Sequence, residues 1–119
     1  MPETLPKLTV SQREGVCVVT FDDRKILDQI LINEIGKRLS ELTEAGPEPR
    51  LLLDFQNVEH LSSAALGVLI TLNKQVLERQ GRLVLAGIQP QIYEVFKITR
   101  LNKLFTILNT TEDGIKTLS

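Results

Sequence analysis

The chain has one cysteine, Cys17, and one histidine, His60. A lone cysteine excludes an internal disulfide and is compatible with a reducing compartment. These two residues cannot build a zinc tetrahedron, and a Cys–His nucleophile pair would require them to meet. Tryptophan is absent, and one tyrosine and four phenylalanines are too few for a base-stacking platform. Neither sign of charge dominates: 14 basic residues stand against 15 acidic, a net charge of −1. Such a balance offers no field to attract nucleic acid or an anionic membrane. No apolar run nears the roughly 18–20 residues that span a bilayer, so no membrane insertion is expected. The opening MPETLPKL has no apolar stretch of signal-peptide length. A cytoplasmic location is the expectation. The glycines form neither GxGxxG nor GxxxxGK[ST], so no phosphate-cradling loop is indicated. We expect no catalytic residue, no metal ion and no cofactor, because no constellation of acid, base and nucleophile is visible.

What is present suits a soluble globular chain: 119 residues, 42% hydrophobic and 24% charged. That length supports a single domain over residues 1–119 with its core at about 8–118. Lys7 to Gln12 alternates weakly, as an edge strand does, and Glu14-Gly15 signals a turn. Val16 to Phe21 is β-branched and apolar, the mark of a more buried strand. Asp22 to Lys25 is a charged connector. A helical stripe follows, with Leu31 or Ile32, then Ile35, Leu39 and Leu42 at spacings of three and four. Asp28 precedes it and can accept from free backbone N–H groups. Gly46 is placed for a left-handed C-cap.

Arg50 to Phe55 does not alternate and reads as a strand covered on both faces. The loop Gln56 to Leu61 leads to a long apolar helix that ends near Gln80, with Gly81 closing it. Arg82 to Ile88 is another buried strand. Pro90 suits a first helical turn, and Ile92, Val95 and Phe96 make a helical stripe. Leu104 to Leu108 is a short strand, and Thr111 to Leu118 a terminal helix capped by Thr110 or Thr111. The order ββαβαβαβα predicts an α/β architecture, a mixed β-sheet of about five strands with about four helices.

The helix after Leu61 has an unusual outward face. Its second half carries Thr71, Lys74, Gln75 and Glu78 on the polar side, and Leu69, Leu72, Val76 and Leu77 on the other. Projecting the polar side back by threes and fours reaches Gly67, Ala64 and Ser63. Such small residues either admit the close approach of a partner or pack beneath a loop of the same chain; periodicity leaves both open. His60 and Ser62 border this surface. Ser62 or Ser63 can serve as the N-cap. A phosphate on Ser63 would meet free N–H groups and the helix dipole, and would add nearly two negative charges to a small, flat face.

At these residues the sequence resembles the STAS domain family, the sulphate-transporter and anti-sigma factor antagonist fold. LLLDFQNVEHLSSAALGVLI is similar, without a gap, to a strand ending in aspartate, a loop and a signature of the type Asp-Ser-Ser-Gly-Leu-Gly-Val-Leu. Leu66-Gly67-Val68-Leu69 coincides with its last four residues. Leu27-Asp28 looks like the family's Leu-Asp near the partner-binding face, and Ile98 to Phe105 resembles the segment between the last helix-to-strand pair. Ser62 stands in place of the signature aspartate, Ala64 in place of the second Ser or Thr, and Ala65 in place of the glycine, where the added methyl is expected at the point of closest approach. Arg100 replaces a common glycine.

The resemblance implies a STAS-like fold and a non-enzymatic binding protein of the anti-sigma factor antagonist type. The implied partner is an anti-sigma factor, a serine kinase with a kinase-like ATP-binding fold. Ser63 falls on the phosphorylated serine, and the implied partner-binding residues are Asp28, His60, Ser62, Ser63, Ala64, Gly67 and Thr71. Two alternatives stand beside this reading. One is a constitutive STAS scaffold in a signalling or transport-ATPase complex. The other is a small-molecule or nucleotide-sensing module that uses the loop Gln56 to Ser63. A homo-oligomer also stays open.

Overall fold

Glu14 and Gly15 take positive φ angles of 53° and 81°, the backbone twist of a two-residue hairpin turn. The turn joins β1 (Leu8–Arg13) to β2 (Val16–Phe21), and the strands pair antiparallel with Arg13 opposite Val16. This computed structural model describes residues 8–119. Lys7, where the sequence places the start of the first strand, lies outside the described residues, as does most of the segment read as lacking a signal peptide.

The remaining elements are β3 (Lys25–Ile26), α1 (Gln29–Glu44), β4 (Arg50–Asp54), β5 (His60–Leu61), α2 (Ser63–Glu78), β6 (Arg82–Ala86), α3 (Pro90–Ile98), a 3₁₀ turn η1 (Leu101–Lys103), β7 (Thr106–Leu108) and α4 (Thr111–Leu118). Five strands form one sheet in the order β1-β2-β4-β6-β7. All its pairs after the hairpin are parallel. The chain thus steps across the sheet in one direction, β2 to β4 to β6 to β7, with one helix in each crossover. Crossovers of one hand that advance one way place their helices on the same face.

That arrangement divides the core in two. Leu51 and Leu53 of β4 point into a large cluster with Ile32, Ile35 and Leu39 of α1, Leu66, Leu69, Leu72 and Val76 of α2, and Ile92 and Phe96 of α3. Leu52 points the other way, into a smaller cluster with Val16, Val18, Val84 and Ala86 and with Ile115 and Leu118 of α4. The unbroken Leu51-Leu52-Leu53 run is covered on both faces because α4 returns across the side that α1, α2 and α3 leave bare. Phe21 and Phe55 meet with ring centroids 4.9 Å apart, and Phe96 meets Phe105 edge-on at 5.9 Å.

Two local readings are corrected, and the end of α2 is refined. The connector Asp22 to Lys25 and the loop before α2 are not free of pairing, since β3 and β5 form a two-stranded parallel sheet. Gly46 has no left-handed cap geometry: α1 ends at Ala45 in right-handed geometry, and the positive φ belongs to Glu48 at 49°. At the end of α2 the left-handed residue is Gln80, with φ 61°. The Gln80 amide donates to the Leu77 carbonyl and the Gly81 amide to the Val76 carbonyl, the paired bonds of a Schellman ending. The helix start is as expected for α3, where Pro90 occupies the first turn, and for α4, where the Thr110 hydroxyl accepts from the Asp113 amide.

Candidate functional site

The β3–β5 pairing clamps together the two segments that lead into α1 and α2. Lys25 pairs with His60 and Ile26 with Leu61. The amides of Glu59 and His60 both donate to the Arg24 carbonyl, at 2.8 and 3.1 Å, and the Ser62 amide donates to the Ile26 carbonyl at 3.1 Å. Ile26 and Val58 are buried beneath the clamp. Two helix N-termini are thereby held side by side. The void under this clamp, lined by Phe21, Ile26, Phe55 and Ala65 among others, is about 10 Å³, the room of one water and not of a nucleotide.

Each N-terminus has its own cap. Asp28 precedes α1, and its Oδ1 accepts from the amides of Ile30 at 2.8 Å and Leu31 at 3.1 Å. Ser62 precedes α2 in extended backbone geometry, and its Oγ accepts from the Ala65 amide at 3.2 Å. This assigns the two serines. Ser62 is the cap. Ser63 is the first helical residue and is exposed, and its hydroxyl makes no hydrogen bond among the described residues. Among the described residues the Ser63 and Ala64 amides likewise take no partner, so two N–H groups stand open there beside the hydroxyl.

Ala64, Gly67 and Thr71 follow Ser63 along the helix, and all three are exposed. No loop among the described residues covers them, so the packing-beneath-a-loop reading finds no support there. Together with Gly36 and Ser40 of α1 they border an open groove between the helices of about 500 Å³. A Cβ built on Gly67 would meet nothing within 4 Å. At the far end the Ser40 hydroxyl donates to Gln75 Oε1 at 3.0 Å. His60 is exposed on β5, with the Arg24–Glu59 ion pair next to it in sequence at 3.7 Å. Asp28, His60, Ser62 and Ser63 thus stand at the clamped helix starts, and Ala64, Gly67 and Thr71 continue from them along α2 into the groove.

Ala65 is the exception to the sequence reading. It is buried and packs in the large core cluster, so its methyl faces inward and not toward an approaching partner. Leu77 reverses in the other direction: read as core, it is 58% exposed. Two residues of the site were missed or underused. Leu27 and Ile30 flank the Asp28 cap and are 52% and 57% exposed. The signal for Ile30 was the run Ile30-Leu31-Ile32, which is wider than the stripe one helix can bury; that for Leu27 was the Leu27-Asp28 pair. Cys17 and His60 lie in different sheets. Burial pushes the Cys17 thiol above its ordinary value, against smaller opposing effects of a hydrogen bond with Gln12 and the charge of Arg38.

With a five-stranded mixed sheet, three helices on one face and a helix N-terminus left open at Ser63, the chain matches the STAS domain family over residues 7–114. It belongs to that family. A STAS relative of Bordetella bronchiseptica, the candidate anti-sigma factor antagonist BtrV, is 28% identical over 106 residues, covering 89% of each chain. An anti-sigma factor antagonist STAS domain protein from Planctomyces limnophilus has the same fold, with a TM-score of 0.84, 19% identity and coverage of 94% of this chain and 97% of that one. The Bacillus cell fate determinant SpoIIAA in its phosphorylated form superposes with a TM-score of 0.70 and 16% identity, over 95% of this STAS chain and 100% of its own. No described helix is long and apolar enough to cross a membrane.

Proposed function

We propose that this STAS protein is an anti-sigma factor antagonist, and that it docks a kinase-like anti-sigma factor on the face formed by the N-termini of α1 and α2. The observation that carries the reading is the division of labour between the two serines. Ser62 supplies the cap, so the Ser63 hydroxyl is exposed and unused by the fold. Leu27 and Ile30 give the face apolar contact area, while Ala64, Gly67 and Thr71 leave room for close approach. The names of the relatives point to the same partner class.

Phosphorylation of Ser63 is the proposed switch. A phosphate there meets the open Ser63 and Ala64 amides and the positive end of the α2 dipole, so the fold tolerates it. To a partner it adds nearly two negative charges and a bulky group at the centre of a small face. The test is calorimetry of the purified chain against its anti-sigma factor. Ser63→Asp should leave the unfolding transition in place and weaken binding at least about tenfold, about 1.4 kcal/mol. Equal affinity for both forms would remove the switch. A constitutive scaffold would in addition take up no phosphate on Ser63 when incubated with the kinase and ATP.

A further inference from the structure

The α4 face of the sheet opens at the end where the parallel strands finish. Side chains two apart along a strand share a face, so Thr20 and Asp54 follow Val18 and Leu52 onto that face. Thr20, Asp54 and Ala86 stand abreast in the strand register. Ile115 and Leu118 of α4 pack with Val16, Val18, Leu52 and Val84, but the helix begins only at Thr111. Past its start a cleft of about 530 Å³ remains, lined by Thr20, Asp54, Gln56 and Gly87 among others. A crevice at the carboxyl ends of parallel strands is where open α/β sheets hold their ligands.

Asp54 is the anomaly in this cleft. Only 4% of its surface is exposed. Its Oδ1 accepts from the Gln56 amide at 3.0 Å, and its Oδ2 from the Gln56 carboxamide at 3.0 Å and the Thr20 hydroxyl at 3.4 Å. All three donors are neutral. No ion pair reaches Asp54 among the described residues, whereas a buried carboxylate as a rule has a cation beside it. Arg13, the cation on the lining, is engaged by Glu112 at 3.0 Å. Oδ1 has acceptor capacity left, and a Cβ on Gly87 would lie 3.0 Å from it, so the missing side chain leaves room at that oxygen. The rest of the lining narrows the ligand. An anion would meet Asp54 and Glu112, with Asp113 beside them in the first turn of α4. Among the described residues no group of three His, Cys, Asp or Glu is placed to hold a metal ion. No aromatic ring lines the cleft among those residues, so neither a nucleobase nor the flat face of a ring sugar finds a stacking partner. Ser11 and Asn109 offer a hydroxyl and a carboxamide that make no hydrogen bond among the described residues.

We propose that this cleft binds a small, acyclic, hydroxylated ammonium ligand, with its charged N–H groups on Asp54 and its hydroxyls on Ser11 and Asn109. The cleft shares no residue with the face at the starts of α1 and α2. The experiment titrates the full ¹⁵N-labelled chain with matched linear probes: glucamine, which carries an ammonium; sorbitol, its neutral counterpart; gluconate, its anionic one; and hexylamine, an ammonium without hydroxyls. Glucamine should shift the Gln56 side-chain amide and the Gly87 and Asn109 backbone amides. Sorbitol and hexylamine should bind at least about tenfold more weakly, and gluconate should not bind. Asp54→Asn should abolish the preference for glucamine over sorbitol. Asn109→Lys, at an exposed position, sets a second cation in the cleft and should weaken glucamine at least about tenfold with the unfolding transition in place; it carries the test if Asp54→Asn fails to fold. Ser63→Asp should leave glucamine binding unchanged, so that failure here and failure of the Ser63 reading are told apart. No shift with glucamine at these three residues would overturn the proposal. So would sorbitol, gluconate or hexylamine binding as tightly as glucamine, or an Asn109→Lys chain that binds glucamine as the parent does.

Discussion

The Ser62 amide donates to the Ile26 carbonyl at 3.1 Å while the Ser62 hydroxyl accepts from the Ala65 amide at 3.2 Å. One residue therefore both ties α2 to the strand before α1 and caps α2. Its neighbour Ser63 does neither. The two serines should separate in mutagenesis. Ser62→Ala leaves an orphan amide at the helix start and should lower stability by about 1 kcal/mol. Ser63→Ala should stay within about 0.5 kcal/mol of the parent. Urea denaturation of both variants, with m-values compared, checks this. A larger loss at Ser63 than at Ser62 would reverse the cap assignment and with it the claim that the Ser63 hydroxyl is free.

Two non-glycine residues close helices in left-handed geometry: Gln80 with φ 61° and Arg100 with φ 64°. Such residues carry steric strain that glycine lacks, offset in part by the extra freedom glycine has when unfolded. Arg100→Gly should therefore raise stability by about 0.5–1 kcal/mol. Gly81 responds oppositely. A Cβ there would collide with the Pro49 carbonyl oxygen and ring, so Gly81→Ala should cost about 2 kcal/mol or more. Thermal unfolding of the two variants gives shifts of opposite sign if the geometry is right.

The same residues show what the sequence could and could not tell. The parallel strands and main helices were legible, because Leu51-Leu52-Leu53 and the spacing of Ile32, Ile35 and Leu39 are burial patterns with a period. The β3–β5 clamp was not legible: two-residue strands have no period, and their pairing is backbone to backbone. Glycine was a misleading guide to left-handed geometry at the end of α1, where Gly46 lacks it. At the end of α2 Gly81 is needed for its closeness to Pro49, and Gln80 takes the positive φ. The small face of α2 could be projected from Thr71, but whether anything covered it depended on the whole chain. Ala65 and Leu77 were misplaced for one reason. The buried stripe of α2 tilts toward Ala65, Leu66, Leu69, Leu72, Asn73 and Val76, taking in a polar residue and leaving out a leucine.

Cys17 gives a pH-dependent signature. Burial pushes its thiol above the ordinary 9.0, so the folded chain holds the proton at a pH where the unfolded chain has released it. An acid whose folded value is raised loses stability as pH climbs. The loss should begin near the ordinary value and level off once the folded thiol also ionises. Urea unfolding from about pH 7 to pH 10 should show this decline, and Cys17→Ala should lack that part of it. Ellman's reagent should also label the native chain more slowly than the unfolded one near pH 8, because the thiolate is the nucleophile.

Gly67 separates stability from binding most sharply. It lies within α2, is exposed, and has open space where a Cβ would stand. Replacing an interior helical glycine with alanine favours the helix by about 1 kcal/mol, and no contact opposes the change here. Gly67→Ala should therefore raise the denaturation midpoint. The same methyl projects from the face proposed for the partner, where space matters for close approach, and Gly67→Leu enlarges the obstacle without entering the core. Binding to the anti-sigma factor should fall from wild type to Ala to Leu while the fold stays at least as stable as the parent. A series in which Gly67→Leu binds as tightly as wild type would move the interface off this part of α2, whatever the fate of Ser63.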